Sequence, residues 1–231
     1  TLAEGMYDLV SSGFSAKQSL TVVKASARAA TAGLTDTATS TKAVAAVLNS
    51  YHMPASKAAA VSDTLFRTVD RGVISFEELA SNIGEVLPYA ASSGISLRQV
   101  GGAIATMTKQ GIGGASAITF LKNTVVAFNS PSKALAAAIK KTGFESGEAL
   151  IKAKGLQGAL MAVRGTTDGS QKSLTKLFPN IRALSAVLAL TGRNSRSAAS
   201  DLRGMNQDSG ATSRALAQQS KSVSYAWNTP K

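Results

Sequence analysis

Along most of this chain, apolar residues recur at spacings of three and four, the period of a helix with one buried face. Three stripes are sharpest. Phe76, Leu79, Ile83, Val86, Leu87 and Ala90 form one; Leu97, Val100, Ile104 and Met107 form a second; Ile118, Leu121, Val125 and Phe128 form a third. No segment alternates apolar and polar residues in the manner of a strand. The expected class is all-α.

Punctuation divides the pattern into elements. Ser15, with Gln18 three positions later, is a capping box, so a helix opens there and runs to about Ala32, with Gly33 as its left-handed stop. A second helix spans Asp36 to Ser50, before Pro54 breaks the pattern, and a third spans Ser56 to Arg71, ending at Gly72. The serine opening recurs in Ser75-Phe76-Glu77-Glu78 and in Ser96-Leu97-Arg98-Gln99. Pro88 is expected to kink or shorten the first of these two helices. Unequal lengths between the starts argue against a true repeat. Gly111-Ile112-Gly113-Gly114 reads as a joint between helices. Ser130-Pro131 reads as a cap followed by proline at the first helical position, opening a helix to about Lys141. Residues 144–178 are less regular, with short helices near 148–154 and 156–164. Residues 179–191 form a helix with Ile181, Leu184 and Leu188 on one stripe. After Gly192 polar residues dominate, and weakly packed helix grading into disorder is expected there.

Composition changes this picture in one respect. Of 231 residues, 40 are alanine and only 5% are aromatic. Alanine favours helix but has little surface to bury. The helices are therefore expected to form an elongated or open array, weakly globular, with a thin core that packs against other copies. There is no cysteine and a single histidine, His52, which excludes disulfides, thiolate metal sites and sites built from several imidazoles. No metal or cofactor is expected. The longest apolar runs, such as Ala183–Leu190, fall short of the roughly 20 residues of a membrane span, and no signal peptide is recognisable. The chain reads as a segment of something longer.

Charge is uneven. Residues 1–110 hold nine Lys/Arg against eight Asp/Glu, whereas residues 111–231 hold sixteen against five, a net of +11. The second half should face something negative: nucleic acid, an acidic protein surface or lipid headgroups.

Candidate chemistry is sparse. His52 has no orienting partner in view and reads as a helix-end residue near free carbonyls. Glu77, Glu78 and Glu85 lie in the first turns of a helix, where anions complement the dipole. Gly111–Gly114 lacks the lysine and the preceding strand of a phosphate loop. Arg193, Arg196, Arg203 and Arg214 are spread through a serine-rich region with few acids. They form either a contact surface for phosphate or an acidic wall, or an ordinary solvated tail; the sequence does not separate the two. Tyr225 and Trp227 could stack on bases but form no platform. With no triad, metal site or nucleotide pocket, the expectation is a structural protein and not an enzyme. A non-specific nucleic-acid-binding module and a membrane-active helical module are the alternatives.

The order of these elements resembles the core region shared by many phage tail tape measure proteins. The resemblance is carried by Gly13-Phe14-Ser15, Ala25–Gly33, Asp63-Thr64-Leu65-Phe66 to Gly72, and Glu78-Leu79-Ala80. It continues through Gly94-Ile95-Ser96-Leu97, Thr108 to Gly111, Ala117, Leu121, Pro131 and Gly143. Each element is a generic helix boundary; their order and spacing are the specific signal. On this basis residues 1–143 are the core region, 144–192 a continuing helical region and 193–231 a polar basic tail, for which the family implies nothing. The resemblance implies a virion protein inside the phage tail, made in the host cytoplasm, that sets tail length during tube assembly and leaves ahead of DNA. Implied partners are the lumen of the tail tube, tail tip or baseplate hub proteins, tail assembly chaperones and other copies, with non-specific DNA contact as a further candidate.

Overall fold

The computed structural model describes residues 2–206 and 210–218, and every regular element among them is helical. The chain is all-α, as its periodicity requires. Four helices come first: α1 (Leu2–Ser11), α2 (Ala16–Gly33), α3 (Thr37–Ser50) and α4 (Ala58–Arg71). The capping box at the head of α2 is formed in both directions. Ser15 Oγ accepts from the Gln18 N–H (3.3 Å), and Gln18 Oε1 accepts from the Ser15 N–H (2.8 Å). Asp36 caps α3 by accepting from the Thr39 N–H (2.9 Å).

The stop of α2 differs from expectation. Gly33 is still helical, and Leu34 takes the left-handed conformation (φ 55°) while remaining exposed. The reason is packing: a Cβ at position 33 would lie 2.6 Å from the ring of Phe76. Glycine is required there for close approach, and the turn falls on the next residue.

Next come α5 (Phe76–Asn82), α6 (Leu87–Ser92), α7 (Leu97–Lys109) and α8 (Gly114–Asn129). Pro88 shortens the first as expected: it sits in the first turn of α6, separated from α5 by a 3-10 turn over Ile83–Glu85. After α8, the cap of α9 (Lys133–Lys141) is Ser132 and not Ser130. Ser132 Oγ accepts from the Leu135 N–H (3.1 Å), while Ser130 terminates α8. The two short helices expected after residue 147 are the halves of α10 (Gly147–Gly165), broken at Gly155 (φ 68°, ψ 171°). Then follow α11 (Gln171–Leu177), unforeseen in the sequence, and α12 (Ile181–Leu190). Ile181, placed on the α12 stripe, is 70% exposed, on the side of the first turn away from the buried Ala183 and Leu184. The buried side is Ala183, Leu184, Ala186, Val187 and Leu190. Beyond Gly192 the polar segment forms a packed helix, α13 (Ser195–Met205), with Asp201 and Met205 buried, and a further helix covers residues 211–218.

All thirteen named helices contribute to one continuous core, from Leu9 to Ala198. The helices therefore close on one another more tightly than the open array expected. Alanines such as Ala29, Ala43, Ala117 and Ala159 are buried where helices approach. The missing volume is supplied by Phe76, Phe128 and Phe178, the last two with ring centroids 6.0 Å apart.

Candidate functional site

The residues weighed for chemistry hold helix ends together. Glu78 Oε1 accepts from the Ala115 N–H (3.1 Å), giving α8 a cap that its own Gly113 cannot supply. Glu85 pairs with Lys122 (2.8 Å), whose hydrogen bond and charge hold the Glu85 carboxyl below its ordinary range. His52 follows the end of α3 with left-handed backbone (φ 51°), its N–H donating to the Asn49 carbonyl (3.2 Å). Its neighbour Tyr51 donates from Oη to the Ile95 carbonyl (2.8 Å), and burial pushes its phenol pKa up. Gly111 closes α7 with positive φ (85°), and Gly114 opens α8, so that stretch is the interhelical joint.

The four candidate arginines do not form one cluster. Arg193 lies in a 3-10 turn, Gly192–Asn194. Arg196 and Arg203 are seven residues apart on α13, hence on one helical face, and both are exposed. Arg214 stands in the helix over residues 211–218. Asp63 of α4 anchors the start of that helix, accepting from the N–H groups of Gly210 (2.5 Å) and Thr212 (3.0 Å). This arrangement leaves a cleft of about 600 Å³ whose walls include Arg214, Arg67, Arg71, Asp70 and Phe66. Arg193, Arg196 and Arg203 are not among its walls. Tyr225 and Trp227 lie outside the described residues.

Sequence reading missed the charged cluster that docks α13. Asp201, 2% exposed, accepts from Lys109 Nζ (2.6 Å) and Thr106 Oγ1 (2.8 Å), with Arg71 Nε at 3.8 Å. Arg67 Nη1 donates to the Gly204 carbonyl (3.1 Å), satisfying a group in the last turn of α13, and Arg71 Nη2 donates to the Ser200 carbonyl (3.3 Å) in its middle. One signal was available: Asp201 is the sole acid between Asp168 and Asp208, and Arg67 and Arg71 share a face of α4. Among the described residues, no group of three or more His, Cys, Asp or Glu could hold a metal ion. No described helix is long and apolar enough to cross a membrane.

No solved structure matches this chain. Two curated proteins do. A probable tape measure protein of Clostridium phage phiCD119 is 30% identical over 96% of this chain and 25% of its own length. A tape measure protein of Pneumococcus phage Dp-1 is 28% identical over 61% of this chain and 12% of its own length. The chain thus spans a quarter or less of the curated relatives it matches. The model of the family described as phage-related minor tail protein matches residues 1–179, which takes in α1 to α11. The helical chain built on this core belongs to the phage-related minor tail protein family.

Proposed function

We propose that this chain is a segment of a tail tape measure protein, which sets tail length while the tube polymerises and leaves the tube ahead of DNA on infection. The family match over residues 1–179, together with two relatives that bear the tape measure name, carries the reading. The protein would be made in the host cytoplasm and end inside the phage tail. Its partners would be the inner wall of the tail tube, proteins of the tail tip or baseplate hub, assembly chaperones and other copies of itself. The excess positive charge of the second half would suit an acidic lumen.

Physical scale refines the proposal. One unbroken helix of this length would run about 350 Å at 1.5 Å per residue. Folded around a single core, a domain of this size has a radius of gyration of only about 17 Å. Length would therefore be measured chiefly by helical parts of the protein outside this segment. Lengthening or shortening those parts in frame, in the phage, should change tail length in proportion, as read by electron microscopy. Tails of unchanged length would overturn the reading.

A further inference from the structure

α9 and α11 pack side by side, with the start of one at the end of the other. Ser132 Oγ, at the head of α9, donates to the carbonyl of Leu177, the last residue of α11 (3.0 Å). Each helix turns its apolar residues to the core: Leu135, Ala138 and Ile139 from α9, Leu174 and Leu177 from α11. At 3.6 residues per turn, Lys133, Lys140 and Lys141 fall on the opposite side of α9. Lys172 and Lys176 fall on the opposite side of α11, and all five are exposed. Neither helix contains an acid.

None of the five makes an ion pair among the described residues. Nearby acids make no ion pair with them, although Glu145 and Glu148 line one cleft together with Lys140. Glu148 pairs with Lys152 (2.7 Å), and Asp168 accepts from the Ser170 N–H (2.9 Å). Glu145 follows α9 in the loop before α10 and pairs with none of the five. The helix dipole accounts for Lys140, Lys141 and Lys176, which lie in last turns. It does not account for Lys133 and Lys172, which occupy first turns, where a cation opposes the dipole. Both ends of both helices thus carry positive charge, and at the first turns it comes at a cost to the helix itself.

The chemistry of this face narrows its partner. Between the lysines stand Ala134, Ala137, Gln171 and Thr175, so there is no aromatic ring to stack on an unpaired base. There is also no large apolar residue to enter a bilayer. Lysine is a point charge on a flexible stem, suited to phosphates at variable geometry and not to bidentate reading of a base edge. We propose that α9 and α11 together form a binding surface for the phosphate backbone of double-stranded nucleic acid, without sequence preference. This inference stands independently of the tail-length reading.

The test is fluorescence anisotropy of a labelled random-sequence duplex against the chain, titrated with salt. If all five lysines meet phosphates, the slope of log K against log salt is about −4.5, and affinity falls about 500-fold between about 50 and 200 mM salt. Replacing Lys133, Lys140, Lys141, Lys172 and Lys176 with glutamine should bring the slope near zero and weaken binding at low salt at least about tenfold. A control removes five positive charges elsewhere, with Lys17, Lys24, Arg28, Lys57 and Arg98 replaced by glutamine. It has the same net charge as the first variant and should keep affinity within about twofold. Circular dichroism of both variants should match the parent, since all ten side chains are exposed. The proposal is overturned if the parent fails to bind at low salt, or if the control loses as much affinity as the five-lysine variant. Equal competition by poly-glutamate would reassign the face to an acidic protein, and equal binding to phosphatidylglycerol vesicles would reassign it to a membrane; either result also overturns it.

Discussion

Two helix pairs at the centre of this molecule are built on opposite principles. α8 and α12 pack with strongly apolar buried sides, Ile118, Leu121, Val125 and Phe128 from α8 and Ala183, Leu184, Val187 and Leu190 from α12. α7 and α13 meet with little apolar surface from α13, whose buried residues are Ala198, Asp201, Gly204 and Met205. α7 presents Gly102 to the contact, and a Cβ there would lie 3.1 Å from the Leu202 Cα. The first pair is held by area removed from water, the second by close backbone approach and a buried carboxylate with its donors. Area gives stability that is spread over many atoms. A buried ion cluster has a small net value but a large penalty when one member is removed. The two interfaces should therefore fail differently.

The largest effect belongs to the apolar pair. Phe128→Ala should destabilise the whole chain by about 3–5 kcal/mol, because the cavity beside Phe178 cannot fully collapse. Urea unfolding should show the loss in the midpoint; a change below about 1 kcal/mol would mean this pair is not the centre of the core. Asp201→Ala comes next, at about 2–3 kcal/mol. The cost is kept at that level because the side chains of Lys109 and Arg71 are 39% and 28% exposed and can turn to water. Its signature should be local: amide exchange accelerates in α13 while α8 and α12 stay protected. Equal acceleration in both would break the comparison, showing one cooperative unit.

The same contrast explains what the sequence made legible. Serine caps at positions 15, 75 and 96, the stripes of α7 and α8 and the break at Pro88 were readable because each is a local signal of residue type and spacing. Gly33 was misread as the left-handed stop because the demand on it comes from Phe76, distant in the chain. Ser130 was read as the cap because proline follows it, whereas Ser132, after the proline, accepts from the Leu135 N–H and is tied to the Leu177 carbonyl. The polar segment after Gly192 looked weakly packed because it carries few apolar residues. α13 docks through Asp201, Thr106, Lys109, Arg67 and Arg71, and no apolar stripe announces such a contact. The lysines of α9 and α11 were visible as charge, but their common face required the tertiary pairing.

Glycine offers a smaller and sharper test. In an exposed helical position, alanine should improve on glycine by up to about 1 kcal/mol. Gly165, at the end of α10 with open space around it, should follow that rule, and Gly165→Ala should stabilise by about 0.5 kcal/mol. Gly102→Ala adds the same propensity but pushes Leu202 backbone away, and overpacking of this kind costs about 1–3 kcal/mol. The net should be a loss of about 1 kcal/mol. Thermal denaturation of the two variants should move in opposite directions; movement in the same direction would show that α7 and α13 are not held at glycine distance.

The finest distinction lies in two threonines placed alike in the two interfaces. Thr106 Oγ1 donates to Asp201 Oδ2 at 2.8 Å and also lies 3.0 Å from the Gly102 carbonyl of its own helix. Thr124 Oγ1 bonds the Phe120 carbonyl of its own helix at 2.9 Å and reaches the Ala183 carbonyl of α12 only at 3.4 Å. Valine has nearly the same shape, so substitution removes the hydroxyl and leaves the packing. At Thr106 it takes a donor from a buried carboxylate that has few others, and about 1 kcal/mol should be lost. At Thr124 the carbonyl of Ala183 loses only a long, poorly shared bond, and the cost should stay under about 0.5 kcal/mol. Equal losses would mean that the α7–α13 contact draws no more on polar bonding than the α8–α12 contact does. A ratio near two or above keeps the two interfaces distinct in kind, the one insensitive to a lost hydroxyl and the other dependent on it.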